Sequence, residues 1–332
     1  MKYHKNGIFF TFISITIMTI FILVFTPQSD VSLQKDLEST RTRVNSVNNY
    51  VNDVENRYFE AVLRVSGFAA IESLALYMNK TGLYLTDLDA AFYEVILNGT
   101  INNVPIDPIT GEKLMEDNTL VNWSNKIIDA GRDTLNVNTT IIINNASASQ
   151  TTPWDIDLSL SLNLTVKSGT ADWKNVEAVT ATFGIEGLDD PYYLINTLGE
   201  YRNLVSMSNI EFNKWNITHV REHIRNGTYV HFQNSIAPSF LMRFTNTISN
   251  SSCCGIESFV NPNLISPSDR IDSYLDYMLW SPINDLPCEQ IYNITNPPGS
   301  EGLWDEFRHF KLDTNHTLLY NITDVDAKKA CP

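Results

Sequence analysis

Residues 8–25, IFFTFISITIMTIFILVF, form one uncharged apolar run, and the chain beyond it is charged and rich in Asn. A helix rises about 1.5 Å per residue, so roughly 20 such residues cross a bilayer core. Lys2 and Lys5 precede the run, and Asp30 is the first charge after it. Positive flanks stay inside. The pattern therefore predicts a cytoplasmic stub over 1–7, a transmembrane anchor over 8–26 and an exported body. A cleaved signal peptide is the rival reading. It needs small residues at the cut, and Phe25-Thr26-Pro27-Gln28-Ser29 offers a poor site.

From Asp30 to Asn79 there is no Pro and one Gly, Gly67. Leu37, Val44, Val47, Val51, Val54, Tyr58, Ala61, Val65 and Phe68 recur in steps of seven, three and four, an a/d stripe. A long helix over 30–80 follows. Its first half reads as an exposed stalk able to self-associate through the 37–68 stripe. Its second half is apolar nearly all round and reads as buried. A shorter helix capped by Thr86 runs to Leu97. Another starts at Asn118 and ends near Gly131, after turn chemistry at Pro105–Gly111.

The period then becomes two. Val137–Asn145 is β-branched, and Trp154 to Val166 alternates apolar with polar, which predicts a half-solvated strand. Val176–Ile185 reads as its antiparallel partner. Asn209–Arg225 reads as a helix, Thr228–Phe232 and Phe240–Phe244 as strands, Ile256–Val260 as a short strand and Asp272–Trp280 as a helix. The fold class is α+β, with residues 81–332 forming a mixed extracytoplasmic head.

Two further features agree with export. Asn-x-Ser/Thr sequons begin at Asn79, Asn98, Asn122, Asn138, Asn145, Asn163, Asn216, Asn226, Asn250, Asn293, Asn315 and Asn321, and none precedes the apolar run. They are glycan acceptors only in a secreted compartment. The four cysteines, Cys253, Cys254, Cys288 and Cys331, lie in the last quarter of the chain. An even count there reads as two disulfides. Adjacent cysteines strain the backbone when bridged, so Cys253 and Cys254 are each expected to reach a distant partner, and a bridge at Cys331 would pin the tail. Setting Lys2 and Lys5 aside leaves 21 basic against 38 acidic residues. That balance argues against nucleic acid and anionic lipid as partners.

The sharpest chemical motif is His219-Val220-Arg221-Glu222-His223, an H-x-x-E-H pattern. Histidines four apart share a helix face and can share a metal, with Glu222 activating its water. Against it stand the lack of an evident third ligand among Glu257, Glu289, Glu301 and Glu306, and the sequons Asn216 and Asn226, which would crowd such a cleft. A solvated helix without metal is the plainer reading, and no cofactor is expected. Asp155 with Asp157, and Asp324 with Asp326, read as solvated carboxylates rather than a Ca²⁺ loop. Asp189-Asp190-Pro191-Tyr192-Tyr193 reads as a packed turn, the alternative being a sugar or partner contact. No nucleotide-binding or nucleophile-elbow motif occurs.

Lys5-Asn6-Gly7-Ile8-Phe9-Phe10-Thr11-Phe12, a short basic leader with Gly before an apolar helix, resembles archaeal pilin-like and other single-pass surface glycoproteins. Phe12 stands where pilins usually carry Glu, and Pro27 interrupts the helix. The resemblance implies a cell-surface protein with a structural, assembly or adhesive role. The alternative is an exported metal-dependent hydrolase using residues 219–223.

Overall fold

The structure, a computed structural model, describes residues 13–21, 35–105, 115, 117–169, 171–211, 214–233, 236–248, 251, 253–265, 272–280, 286–295, 306–307, 309–323 and 326–331. The leader motif, most of the predicted anchor, the 106–111 turn, Asn250, Glu301 and Asp324 lie outside the described residues. The chain is mixed helix and antiparallel sheet, and it divides into two units. The first comprises residues 1–63, 120–145 and 160–179, and the second residues 64–119, 146–159 and 180–332.

In the first unit, residues 13–21 are helical (α1), and the long helix begins as α2, Lys35–Asp53. Its Val47, Tyr50, Val51 and Val54 are buried by the chain itself. The Tyr50 hydroxyl donates to the Ile127 carbonyl at 3.1 Å and lies 3.1 Å from the Thr139 hydroxyl. Ile127 belongs to α5, Leu120–Leu135. Gly131 lies inside α5 rather than ending it: a Cβ there would meet the Tyr50 hydroxyl at 2.6 Å, so the glycine makes room for the tyrosine. The helix stops at Asn136 instead, at φ +48°. The stripe read as an exposed stalk is thus half of a closed core.

The stripe also changes register. Val54–Tyr58 is a π-helical stretch between α2 and α3, Phe59–Thr81. One residue inserted in a helix rotates everything after it by about 100°. Tyr58, Ala61, Val65 and Phe68 are accordingly only half-buried, while Phe59, Val62, Leu63, Ser66 and Ala70 are buried. Thr40–Thr81 is one helix long and apolar enough to cross a membrane, yet 56% of its apolar window is buried inside the protein. In the second unit Gly67 faces Leu158, with no space for a Cβ between them.

The predicted alternation is realised in a sheet ordered β3-β4-β5, with β3 over Asn138–Ser149, β4 over Asp155–Ser168 and β5 over Ala171–Gly184. Ile156, Leu158, Leu160, Leu162, Leu164 and Val166 are all buried. In the first unit, Trp173 of β5 donates to the Asn48 side chain at 2.7 Å and Asn175 to Glu55 at 3.2 Å.

The second unit carries α4, Leu88–Asn98, and the small hairpin of β1, Thr100–Ile101, and β2, Val104–Pro105. Asp87, not Thr86, caps α4, accepting from the Ala90 N–H at 3.0 Å. Glu94 takes the Thr100 hydroxyl and the Asn102 and Asn103 N–H groups, which fixes the hairpin on the helix. Those bonds hold its carboxyl below the ordinary value against the opposing effect of burial. Next come α6, Pro191–Asn196, and α7, Ile217–Asn226, which is closed by Gly227 at φ +60°. Then β6, Tyr229–Val230, pairs with β7, Glu257–Ser258, and is followed by α8, Asp276–Trp280. The segment read as a strand at Phe240–Phe244 is a 3₁₀ turn, Leu241–Thr245. A three-stranded antiparallel sheet, β10-β8-β9, closes the chain: β8 is Ile291–Ile294, β9 Lys311–Asp313 and β10 Ala327–Lys329, with α9, Thr314–Leu319, after β9.

Aspartate at both Val47 and Val51 places two unpaired charges in a closed interior, so the first unit is expected to unfold. Limited proteolysis checks this: new cleavage within 35–63 and 120–145 is the expected result. Oligomers that dissociate without new cleavage would instead make the stripe intermolecular.

Candidate functional site

The densest constellation of chemical groups lies inside the second unit, in short segments the sequence pattern barely marks. Asp190 caps α6, accepting from the Tyr192 N–H at 2.8 Å. Its second oxygen faces outward from the cap and meets Arg243, from the 3₁₀ turn, at 2.7 Å. The same guanidinium nitrogen lies 2.7 Å from Asp276, the first residue of α8. Arg243, Asp190 and Asp276 are all 0% exposed, so solvent does not screen them.

The other polar positions are filled except Arg243 Nε, which is buried without a hydrogen-bond partner. The second Arg243 nitrogen donates to the Ile256 carbonyl. Asp276 accepts from the Ser258 hydroxyl at 2.9 Å and the Ser258 N–H at 3.1 Å. Asp190 also accepts from the Tyr229 hydroxyl at 2.7 Å, and that hydroxyl is held by Asn203 at 2.9 Å. The guanidinium stacks over the Tyr192 ring at 4.9 Å. Burial disfavours the Asp276 charge more than Arg243 favours it, with Asp190 adding repulsion, and its pKa is raised to about 6. Tyr192 and Tyr193 are core residues, so Asp189–Tyr193 is a packed helix start and not a ligand surface.

One strand residue away the network continues. Glu257 accepts from the buried Tyr320 hydroxyl at 2.7 Å, and its other oxygen lies 3.4 Å from His316 Nε2. His316 Nδ1 lies 2.6 Å from Asp313, which also caps α9 through the Asn315 and His316 N–H groups. Burial alone would push the imidazole pKa down. Glu257 and Asp313 outweigh it and raise it to about 10, so the ring is cationic at neutral pH. Asp313 is in turn held below its usual range by His316, against the effect of burial. Together these charges tie α6, the 3₁₀ turn, β7, α8, β9 and α9 into one ionic core. It holds an acid, a base and hydroxyls within hydrogen-bond reach, but Arg243 and both its carboxylates have no surface at which a substrate could meet them.

The H-x-x-E-H motif falls on α7 as expected, but its members do not converge. His223 is 1% exposed, and its ring packs edge-on between Trp215 and Phe259, with centroids 5.2 and 4.9 Å away. Nδ1 meets the Thr228 hydroxyl, and burial lowers the pKa to about 3, so the ring is neutral. His219 is half-buried and Glu222 exposed. His219 Nδ1 and His223 Nε2 are buried without a hydrogen-bond partner. Among the described residues, however, no three of His, Cys, Asp and Glu group so as to hold a metal. Glu306, a candidate third ligand, is instead clamped by Arg221 and Arg225. Glu257 serves His316 and Tyr320, and Glu289 lies in a 3₁₀ turn, Cys288–Gln290.

Of the sequon asparagines, Asn98, Asn138, Asn145, Asn216, Asn226, Asn315 and Asn321 are exposed, and Asn79, Asn122, Asn163 and Asn293 half-exposed. Asn216 is the cap of α7, accepting from the His219 N–H at 3.0 Å. Asp155 and Asp157 are taken up by hydroxyls, Thr152 to the first and Thr151 and Thr182 to the second. Asp326 accepts from Thr323.

The cysteines form two pairs, but not in the expected pairing. Cys331 does pin the tail, through Cys288 and the Cys288–Gln290 turn rather than through Cys253 or Cys254. Cys253 bridges its neighbour Cys254 and not a distant partner. Cys254 is fully buried there, and the next residue, Gly255, packs so closely on Ala237 that a Cβ would lie 2.2 Å from the Ala237 carbonyl. Comparison with protein-family models, with curated proteins and with solved structures returned no match.

Arg243→Met leaves Asp190 and Asp276 facing each other without a counter-charge, and a loss of about 3–5 kcal/mol in denaturant unfolding is expected. Adding Asp190→Asn and Asp276→Asn should restore part of it. His316 predicts a pH dependence with a definite sign. Its folded pKa of about 10 exceeds the unfolded value near 6.5, so its contribution is complete below pH 6.5 and is lost as pH rises through 10. Unfolding measured from pH 6 to 10 should show that decline in the native chain, and His316→Gln should flatten it.

Proposed function

We propose that the protein is a membrane-anchored glycoprotein with a structural, assembly or adhesive role outside the cell, residues 1–7 remaining inside and 8–26 forming the anchor. The observation that carries this reading is the sequon distribution. All twelve follow the apolar run, and none of the eleven on described residues is buried. A glycan needs an asparagine the transferase can reach, and its bulk must then stay in water. The paired cysteines support the same compartment, since disulfides persist where thiols are oxidised. The ionic core fits a role of presenting a durable surface rather than turning over a substrate, because its acid, base and hydroxyls are spent on one another. The resemblance to pilin-like surface proteins supports an assembly role in particular.

Protease treatment of intact cells, followed by mass spectrometry of the released body, tests this reading. Removal of the body, with added mass on exposed asparagines such as Asn98 and Asn315, is the expected result. A fully protected, unmodified chain would refute it.

A further inference from the structure

The sheet of β3, β4 and β5 ends in two edges that are not alike. A bare edge offers unpaired N–H and C=O groups to any extended chain, and proteins blunt such edges with charge, Pro, short length or a covering element. In the first unit β5 is guarded in two of these ways. It carries Asp172, Lys174 and Glu177, and its Trp173 and Asn175 reach Asn48 and Glu55 of the long helix. Strand β3 has neither guard. Its 12 residues hold no charge and no Pro. Among the described residues, nothing hydrogen-bonds to the backbone of residues 138–145 beyond the ladder to β4.

The bare stretch is suited to pairing. Thr139, Thr140, Ile141, Ile142 and Ile143 are all β-branched and fit a pleated ladder. Ile142 is apolar yet 55% exposed. The sequon residues Asn138 and Asn145 are exposed at the two ends, with no sequon between them. Glycans there would frame residues 139–143 and leave them uncovered. The whole chain carries a net charge of -15. Two copies therefore repel one another over most of their surfaces, and an uncharged edge is where they can meet.

We infer that two copies of the chain join edge to edge through β3, antiparallel about a two-fold axis at Ile141, so that their two sheets become one. That register sets Asn138 against Asn144, Thr139 against Ile143 and Thr140 against Ile142 of the second copy. Exposed Thr140 then meets exposed Ile142, and buried Thr139 meets half-buried Ile143. A register centred on Ile142 fails, because it sets buried Thr139 against exposed Asn145. Opposed side chains on one face are the pairs that stabilise a ladder. The two-fold closes the contact on itself, so pairing through β3 stops at two copies. The inference deepens the assembly role proposed above and rests on that reading: anchoring both copies in one membrane raises their effective concentration, which so short a ladder needs. It requires nothing of how residues 13–21 are placed.

The test is cross-linking of the full chain in intact cells. Chains carrying Thr140→Cys and chains carrying Ile142→Cys are co-expressed with different tags and oxidised with copper–phenanthroline. Opposed residues of an antiparallel pair lie about 4.5–5.5 Å apart at Cα, within disulfide reach. A mixed-tag dimer that collapses under reductant is expected, with none above background when Ser161→Cys of β4 replaces Ile142→Cys. A second arm uses no added cysteine. Thr140→Lys with Ile142→Lys sets like charges opposite one another across the axis, and amide exchange over residues 139–143 should quicken about tenfold. Both positions are exposed, so the fold is kept. Absence of the mixed-tag dimer, or exchange indifferent to the paired lysines, would overturn the inference. So would cross-linking of Ile142→Cys to Val176→Cys on β5, which would mean open-ended strand addition. Protease release and glycan mass judge the earlier reading separately. Anchored, glycosylated chains without the cross-link would sink the pairing alone, and the cross-link in an unanchored chain would sink the anchor alone.

Discussion

A single guanidinium with no access to water organises the second unit. Arg243 cannot lose its proton, and it is buried with two carboxylates close enough to share one of its nitrogens. Desolvating such a group is expensive unless every donor and every facing acceptor is matched. Partners for its two terminal nitrogens and for the facing carboxylates come from α6, α8, β6, β7 and the peptide after the Cys253–Cys254 ring, all of them short, and only Nε is left unmet. None of these segments has the length to be stable alone. Their mutual placement follows from the charge they surround. The result is a core whose specificity is electrostatic and whose failure, once one partner is removed, is expected to be abrupt.

The neighbouring imidazolium repeats the scheme with the opposite margin for error. His316 can discharge, and Arg243 cannot. Alkaline conditions therefore loosen the α9 side first while the Arg243 side keeps its charge. The two share one strand, β7, with Glu257 facing the histidine and Ser258 facing Asp276. A disturbance at one end of that dipeptide reaches the other within a single peptide bond.

Much of the architecture was legible in period alone. Strand β4 was readable because its alternation runs for over ten residues and both the polar and apolar positions are realised. Helices α4 and α7 were readable from their Gly stops. The failures have physical causes. The stalk was misjudged because an a/d stripe states only that something covers it, and here α5, with Gly131 hollowed out for Tyr50, does so from the same chain. The stripe beyond Val54 slipped because a π-helical insertion leaves no composition signature. Phe240–Phe244 has the residues of a strand, but Arg243 must reach two aspartates, and a 3₁₀ turn delivers it. The ionic core itself was invisible. Its charged members are scattered over more than a hundred residues, and although Asp190, Arg243, Glu257 and Asp276 each stood in a segment that had been read, nothing in the pattern related one to another.

The two cystine bridges are unlike objects although they are chemically identical. Cys288 and Cys331 are 43 residues apart, and in the chain-entropy picture such a loop removes about 4 kcal/mol of freedom from the unfolded chain. Cys253 and Cys254 are adjacent, and closing a ring of neighbours takes almost no freedom from a disordered chain. The adjacent ring can act only on the folded state, by stiffening the two residues that lead through Gly255 to Ile256 and so to Arg243. The protein thus has one bond that restrains its search and one that aims its backbone. A reducing agent would abolish both without distinguishing them, and the loss would show as two different kinds of softening, one spread over the tail and one at a single turn.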